Sequence, residues 1–336
     1  LIPGFGMVTA FKDAVSAGVA ASCYRAVMQT MENAEAVGTF RFLPERQVFA
    51  FEHWPLERRK IAKTAEEEAD RLLLPRRIAL IIGAGSGIGE AAAWRFCREG
   101  AHLVVADLDG EKTKKLAAAL NRQYPQRAVG VSVDACREES LAQAVRAAVL
   151  AFGGLDILFY TAGRAPRFRS ILEISREDLE TQLQVHYTGA VLAIREAGRI
   201  LKRQGRGGSI LCSVSKAALA PGRQAAAYGG SKAAILQALR IAALELGPQG
   251  IRVNAINADQ VETPLFMRFA AARARAQGRS LEEQLEQYRR RNAMGVTRIP
   301  PRAVADLAVL LASDRFRYTT GDILTIDGGL PEAFPR

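Results

Sequence analysis

Cysteine and histidine are scarce in this 336-residue chain, at four and three residues. Cys23, Cys97, Cys136 and Cys212 lie far apart with no paired spacing. That excludes a disulfide frame or a thiolate zinc site and reads as reduced thiols of a cytoplasmic protein. His53, His102 and His186 are too few for a histidine-rich centre, so no metal is expected. No apolar run reaches the roughly 18 residues of a spanning helix, which sets a membrane partner aside. Repeats and low-complexity tracts are missing too. The chain starts at Leu1 rather than Met, with no basic-then-apolar leader, as expected of a chain taken from an internal point.

What is present is globular: 49% hydrophobic residues with ordinary charge. The net charge of +11 raises nucleic acid as a partner. The basic residues are mostly arginines scattered along helical stretches, with clusters in GRAPRFR (163–169), RARAQGR (273–279) and YRRRN (288–292). No basic face interleaved with aromatics accompanies them, so nucleic acid is not an expected partner.

Residues 1–62 differ from the rest. FKDAVSAGVAASCYRAVMQTMENAEAVG has helical apolar spacing and ends at a glycine, and FRFLPERQVFAFEHWPLERRK carries aromatics spaced for docking. A charged helical connector, 63–75, ends at Pro75. From 76 to 336 short apolar runs alternate with helical periodicity, from RIALIIG and HLVVAD through GSILCSVS and IRVNAIN to DILTIDGG. A long helix is expected through TQLQVHYTGAVLAIREAGRILKRQ, and a variable helical insert after IRVNAIN. Near-continuous apolar strands alternating with helices predict an α/β fold, a doubly wound parallel sheet.

The first of these strands runs into GAGSGIG, where Gly83, Gly87 and Gly89 open a helix. Such glycines allow a tight turn and close approach of the backbone to a pyrophosphate. Eighteen residues after Gly89, Asp107 ends HLVVAD, where a carboxylate binds a ribose 2′-hydroxyl and repels a 2′-phosphate. That favours NAD over NADP. Further on, AAAYGGSKAA sets Tyr228 and Lys232 four residues apart on one helical stripe among small neighbours.

Gly-x-x-x-Gly-x-Gly followed by Tyr-x-x-x-Lys resembles the short-chain dehydrogenase/reductase family, over roughly residues 75–330. Other landmarks fall in order: Asp134 in VSVDAC, TAG at 161–163, Ser215 thirteen residues before Tyr228, RVNAIN with Thr263, and TGDILTIDGG. The resemblance implies an NAD-dependent enzyme interconverting a hydroxyl and a carbonyl, with Tyr228 as acid/base, Lys232 lowering its pKa and Ser215 orienting the substrate. It implies cofactor contacts at Gly83, Ser86, Gly87, Ile88, Gly89, Asp107, Asp134, Ala135, Ala162, Gly163, Tyr228, Lys232 and Thr263. It also implies a homodimer or homotetramer, and a substrate lid at about 262–292 whose basic residues favour an anionic or phosphorylated substrate.

The leading segment resembles the tail of a class II sugar-phosphate aldolase. The closing AFPR and Asp259 in NADQ look like a bacterial fusion in which a rhamnulose-phosphate aldolase precedes a short-chain dehydrogenase. That resemblance implies deoxysugar catabolism with lactaldehyde as substrate, and no aldolase activity in this chain. Against the pattern, His186 stands in VHYTG where the family carries a catalytic asparagine, and Ile82, Thr161 and Ala258 are further departures. His186 is open to three readings: a tolerated substitution, a relay in the catalytic set, or lost activity. The last would leave a cofactor-binding protein with a structural or regulatory role. A neutral ring is expected beside Lys232.

Overall fold

The computed structural model describes residues 6–11, 13–52 and 72–333. The boundary expected at 62/63, most of the connector and residues 334–336 lie outside them. The chain divides into two compact units, Leu1–Arg76 and Arg77–Arg336.

In the first unit, helix α1 (Ala14–Val37) begins where the Asp13 carboxylate accepts the Ser16 N–H at 2.7 Å. It stops at Gly38, as its glycine implied, and α2 (Glu45–Glu52) follows a short extended stretch.

The second unit is one seven-stranded parallel sheet in the order β3-β2-β1-β4-β5-β6-β7. The strands are β1 (Ile78–Ile82), β2 (His102–Asp107), β3 (Ala128–Ser132), β4 (Ile157–Tyr160), β5 (Gly208–Ser215), β6 (Ile251–Ala258) and β7 (Ile323–Ile326). Their crossovers are helices α3 (Gly87–Arg98), α4 (Gly110–Gln123), α5 (Glu138–Phe152), α6 (Arg176–Leu183) running into α7 (Gly189–Gln204), and α8 (Ala226–Leu246). Helices α9 (Pro264–Ala276), α10 (Leu281–Arg291) and α11 (Pro301–Ala312) complete it.

The apolar runs bury both faces, as a parallel sheet requires. Every residue of β1 is buried. Ile78, Leu80 and Ile82 join one core with Leu141 of α5, Ala193 of α7 and Ile235 of α8. On β4, Phe159 stacks on Phe96 of α3 with ring centroids 6.3 Å apart. Strand order reverses between β1 and β4, and ligands bind at such a switch point beyond the carboxyl ends of the strands. Asp107, Thr161, Ser215 and Asp259 all sit at or just past those ends.

The long helix differs from its expected form. It starts earlier, at a capping box made by Ser175 and Asp178, and is interrupted by one π turn at Gln184–Thr188. There the Gly189 N–H reaches Gln184 O, one residue further than α spacing. The Tyr160 hydroxyl donates to Val185 O at 2.5 Å, satisfying a carbonyl in the widened turn. Gly189 permits close packing on the neighbouring loop, since a Cβ there would meet Ala135 O at 2.3 Å. Among the described residues no helix is long and apolar enough to cross a membrane.

Candidate active site

At the switch point lies a groove of about 670 Å³. The glycine loop forms one wall through Gly83, Ser86, Gly87, Ile88 and Gly89, and Asp107 closes one end. Asp134 and Ala135 line it from the β3 side, Ala162 and Gly163 from the β4 side, and Thr263 from the start of α9. The loop turns tightly because Gly83 and Gly87 hold φ of +91° and +62°, conformations that cost little only without a Cβ. Gly89 answers to packing instead: a Cβ there would stand 2.2 Å from Gly83 O.

The side chains in this groove are held in place. The Asp107 carboxylate accepts the Gly85 N–H at 2.9 Å and the Asp109 N–H at 3.1 Å. The Asp134 carboxylate accepts the Cys136 N–H at 2.9 Å. Thr161, where an asparagine was expected, donates its hydroxyl to Ile82 O at 2.9 Å and so ties the β4 loop to the end of β1. Thr263 caps α9, its hydroxyl accepting the Phe266 N–H at 3.0 Å. A glycine cradle opening a helix at the switch point of a parallel sheet fits a dinucleotide.

Beside the groove is a cleft of about 170 Å³ lined by Ser215, Tyr228, Lys232 and His186. Ser215 ends β5, while Tyr228 and Lys232 stand one turn apart on α8. The Ser215 hydroxyl accepts the Ala217 N–H at 3.3 Å and lines the cleft together with the Tyr228 phenol. Lys232 is buried, its Nζ 5.9 Å from the Tyr228 ring centroid and donating to Ser213 O at 3.2 Å. The Tyr228 ring sits edge-on between His186 at 5.2 Å and Phe269 at 5.4 Å.

Burial pushes Tyr228 up to about 12, with the Ser215 hydroxyl pulling it partly back. It pushes Lys232 down to about 8. Desolvation is the largest influence on the phenol in the protein chain by itself.

His186 is 1% exposed and sits on the π turn. The Arg164 N–H donates to its Nε2 at 3.2 Å, and its Nδ1 lies 3.0 Å from Ser231 Oγ. Since Ser231 gives its own hydrogen to Tyr228 O at 2.8 Å, these partners assign the ring proton to Nδ1. Burial first, then Lys232, hold the imidazole well below its ordinary pKa, in line with the neutral ring expected.

The sequence did not single out Ser231, Lys216, Arg164, Arg268 or Arg273. Ser231 was in view inside GGSK, and Arg164 and Arg273 belonged to the clusters read as surface. Arg164 and Arg268 line the groove, while Lys216, Arg273 and Arg291 line the cleft. Arg289 and Arg290 instead pair with Glu286 at 2.6 and 2.9 Å. None of Cys97, Cys136 and Cys212 lines the cleft, and Cys97 and Cys212 are buried thiols pushed up to about 11 and about 12.

Comparison with known proteins follows the two units. Residues 83–331 match a family described as enoyl-(acyl carrier protein) reductase, and residues 1–61 match the second domain of class II aldolases. The chain is 38% identical over 340 residues to the uncharacterized oxidoreductase YuxG of Bacillus subtilis, covering 100% of this chain and 48% of that protein. It therefore spans about half the length of that relative. It is 33% identical over 268 residues to an L-rhamnose 1-dehydrogenase (NAD(P)(+)) of Azotobacter vinelandii, covering 77% of this chain and 98% of the relative. Among solved structures, a 3-ketoacyl-(acyl-carrier-protein) reductase from Brucella melitensis complexed with NADH aligns with a TM-score of 0.69 at 29% identity, covering 78% of this chain and 100% of that one.

Proposed function

Since the chain belongs to the short-chain dehydrogenase/reductase family, a family of oxidoreductases, we propose that it uses NAD to interconvert a hydroxyl and a carbonyl on a small polar substrate. The observation that carries this reading is the convergence of Ser215, Tyr228 and Lys232 on one small cleft that opens beside the glycine-lined groove.

When bound, the nicotinamide supplies the acceptor or donor of a hydride. Gly83, Ser86, Gly87, Ile88 and Gly89 would hold the pyrophosphate end, and Asp134, Ala135, Ala162 and Gly163 the adenine side and the strand ends. Thr263 would hold the nicotinamide end. Asp107 would take the ribose hydroxyls, and its fixed carboxylate supports NAD over the 2′-phosphorylated cofactor. Ser215 donates to the substrate oxygen and fixes its direction. Tyr228 Oη takes the hydroxyl proton in oxidation and returns it in reduction. Lys232 stabilises the phenolate formed and binds the ribose. Burial raises the phenol in the protein chain, so its ionisation depends on positive charge gathered beside it. With no cysteine in the cleft, a hydroxyl is an easier substrate than an aldehyde that needs a thiol nucleophile.

Lactaldehyde and L-rhamnose, the latter from the name of the Azotobacter relative, define the neutral end of the substrate range. Exposed Ile241 and Leu244 on α8 support self-association as a dimer or tetramer, and unpaired thiols support a reducing, cytoplasmic setting. The test is NAD reduction by the purified chain with lactaldehyde, L-rhamnose, small diols and hydroxy acids. A Tyr228→Phe variant is expected to lose about 10²–10⁴-fold in kcat while still binding NAD. Undiminished turnover in that variant would sink the assignment. A cofactor-binding protein without turnover is the second reading, favoured by the raised Tyr228 phenol, and NAD binding with no reduction on any substrate would support it.

A further inference from the structure

One wall of the cleft is positive in a way that proton and hydride chemistry does not use. Lys216, Arg273 and Arg291 line it, with a single lining carboxylate, Asp259. Arg291 is already paired, with Glu332 at 3.3 Å. Among the described residues neither Lys216 nor Arg273 forms an ion pair with a carboxylate. Arg273 is held by other means: its guanidinium lies 5.1 Å from the Phe168 ring centroid, and both Arg273 and Tyr288 line the cleft. The backbone under Tyr288 is fixed in turn, since Gln260 Nε2 donates to Tyr288 O at 3.1 Å and Asn292 Nδ2 to Gln260 Oε1 at 3.2 Å. Lys216 is half-buried, and burial lowers its pKa.

Two cations in a half-closed cleft, neither in an ion pair among the described residues, would be desolvated at a cost by a neutral guest. An anionic oxygen group restores charge-assisted hydrogen bonds to both. We propose that Lys216 and Arg273 form a subsite for an anionic oxygen group of the substrate, a carboxylate or a phosphate, in the same cleft as Tyr228 and Ser215. This rests on the reading that Tyr228 and Ser215 act on a substrate hydroxyl.

Glycerol, glycerate and glycerol 3-phosphate make a matched set of probes differing in one substituent. NAD reduction is measured with each, and calorimetric binding of each is measured without cofactor. One of the two anions is expected to exceed glycerol about tenfold or more in kcat/KM and in affinity, and whichever leads identifies carboxylate or phosphate. Arg273→Gln is expected to erase most of that preference by raising KM more than it lowers kcat, with Arg273→Lys recovering part of it. Lys216→Met gives an independent variant should Arg273→Gln fail to fold. Arg290→Gln, on the outer face, is expected to keep the preference.

Equal use of glycerol by the wild-type chain, or a preference that survives both Arg273→Gln and Lys216→Met, overturns the proposal. So does an equal loss in Arg290→Gln, which would reduce the effect to general surface charge. If none of the three is oxidised, calorimetry still decides the subsite, and the failure belongs to the hydroxyl chemistry.

Discussion

The groove and the cleft share Ile88, Thr161, Gly163, Thr263 and Leu265, yet they are built from different materials. The groove is mostly backbone and small side chains, contributed by turns that follow β1 to β4. Its specificity comes from what is missing at Gly83 and Gly89 and from one carboxylate held by two N–H groups. The cleft is made of long side chains brought from β5, β6, α8, α9 and α10, each needing a neighbour to hold it. A backbone site recognises a shape common to many enzymes, whereas a side-chain site can be rewritten one residue at a time.

After the loss expected of Tyr228→Phe, the next largest effect separates the two regions cleanly. Asp107→Ala is expected to cut the preference for NAD over NADP by about 10- to 100-fold, the equivalent of about 1.4–2.8 kcal/mol, while leaving substrate KM alone. Steady-state kinetics with both cofactors measures it, and a matching rise in substrate KM would show that groove and cleft are not independent.

Lys232 stands where the two meet, and its expected effect is on stability. Its folded pKa of about 8 lies below the ordinary lysine value of 10.5, so between those limits the unfolded chain binds more protons. Stability contributed by this group is therefore smallest below pH 8 and rises as pH climbs from about 8 to 10.5. The gain is on the order of 3 kcal/mol. In denaturant titrations across that range, wild type should gain stability with pH relative to Lys232→Met, which lacks the rise. Parallel curves would mean that the ammonium is not desolvated.

The smallest expected effect falls on His186, which ties the groove loop at Arg164 to the α8 helix of the cleft. His186→Asn can keep only part of the two hydrogen bonds, so a change of about fivefold in kcat/KM is expected, near 1 kcal/mol for one neutral bond. Because the ring is held neutral, the acid limb of the rate profile between pH 5 and 8 should be the same in both proteins. A limb that moves with the substitution would make His186 a proton relay and draw the cleft into the chemistry of the groove.

The same division explains what could be read in advance. Strands, helices, the glycine loop, Asp107, Ser215, Tyr228 and Lys232 were legible because their spacing is local and their residue types serve one purpose. Arg273 and Arg291 fell within the basic lid expected over 262–292, but a basic run on a helix does not state which of its residues face inward. In YRRRN, Arg289 and Arg290 turn to Glu286 while Arg291 turns to the cleft, a choice set by how α10 packs against α9. The balance of influences on the Tyr228 phenol was not legible for a related reason: the sequence showed the lysine a turn away but not the desolvation acting on both groups.

The π turn at Gln184–Thr188 carries an implication about descent. A helix that gains a residue between fixed ends stores it as one wide turn. Each helical residue advances about 100°, so losing one there would swing His186 off Ser231 and withdraw Val185 O from the Tyr160 hydroxyl. The widened turn and its phenol partner on β4 are thus coupled, though they lie 25 positions apart. Relatives whose helix lacks the insertion are expected to carry phenylalanine or another apolar residue where this chain has Tyr160.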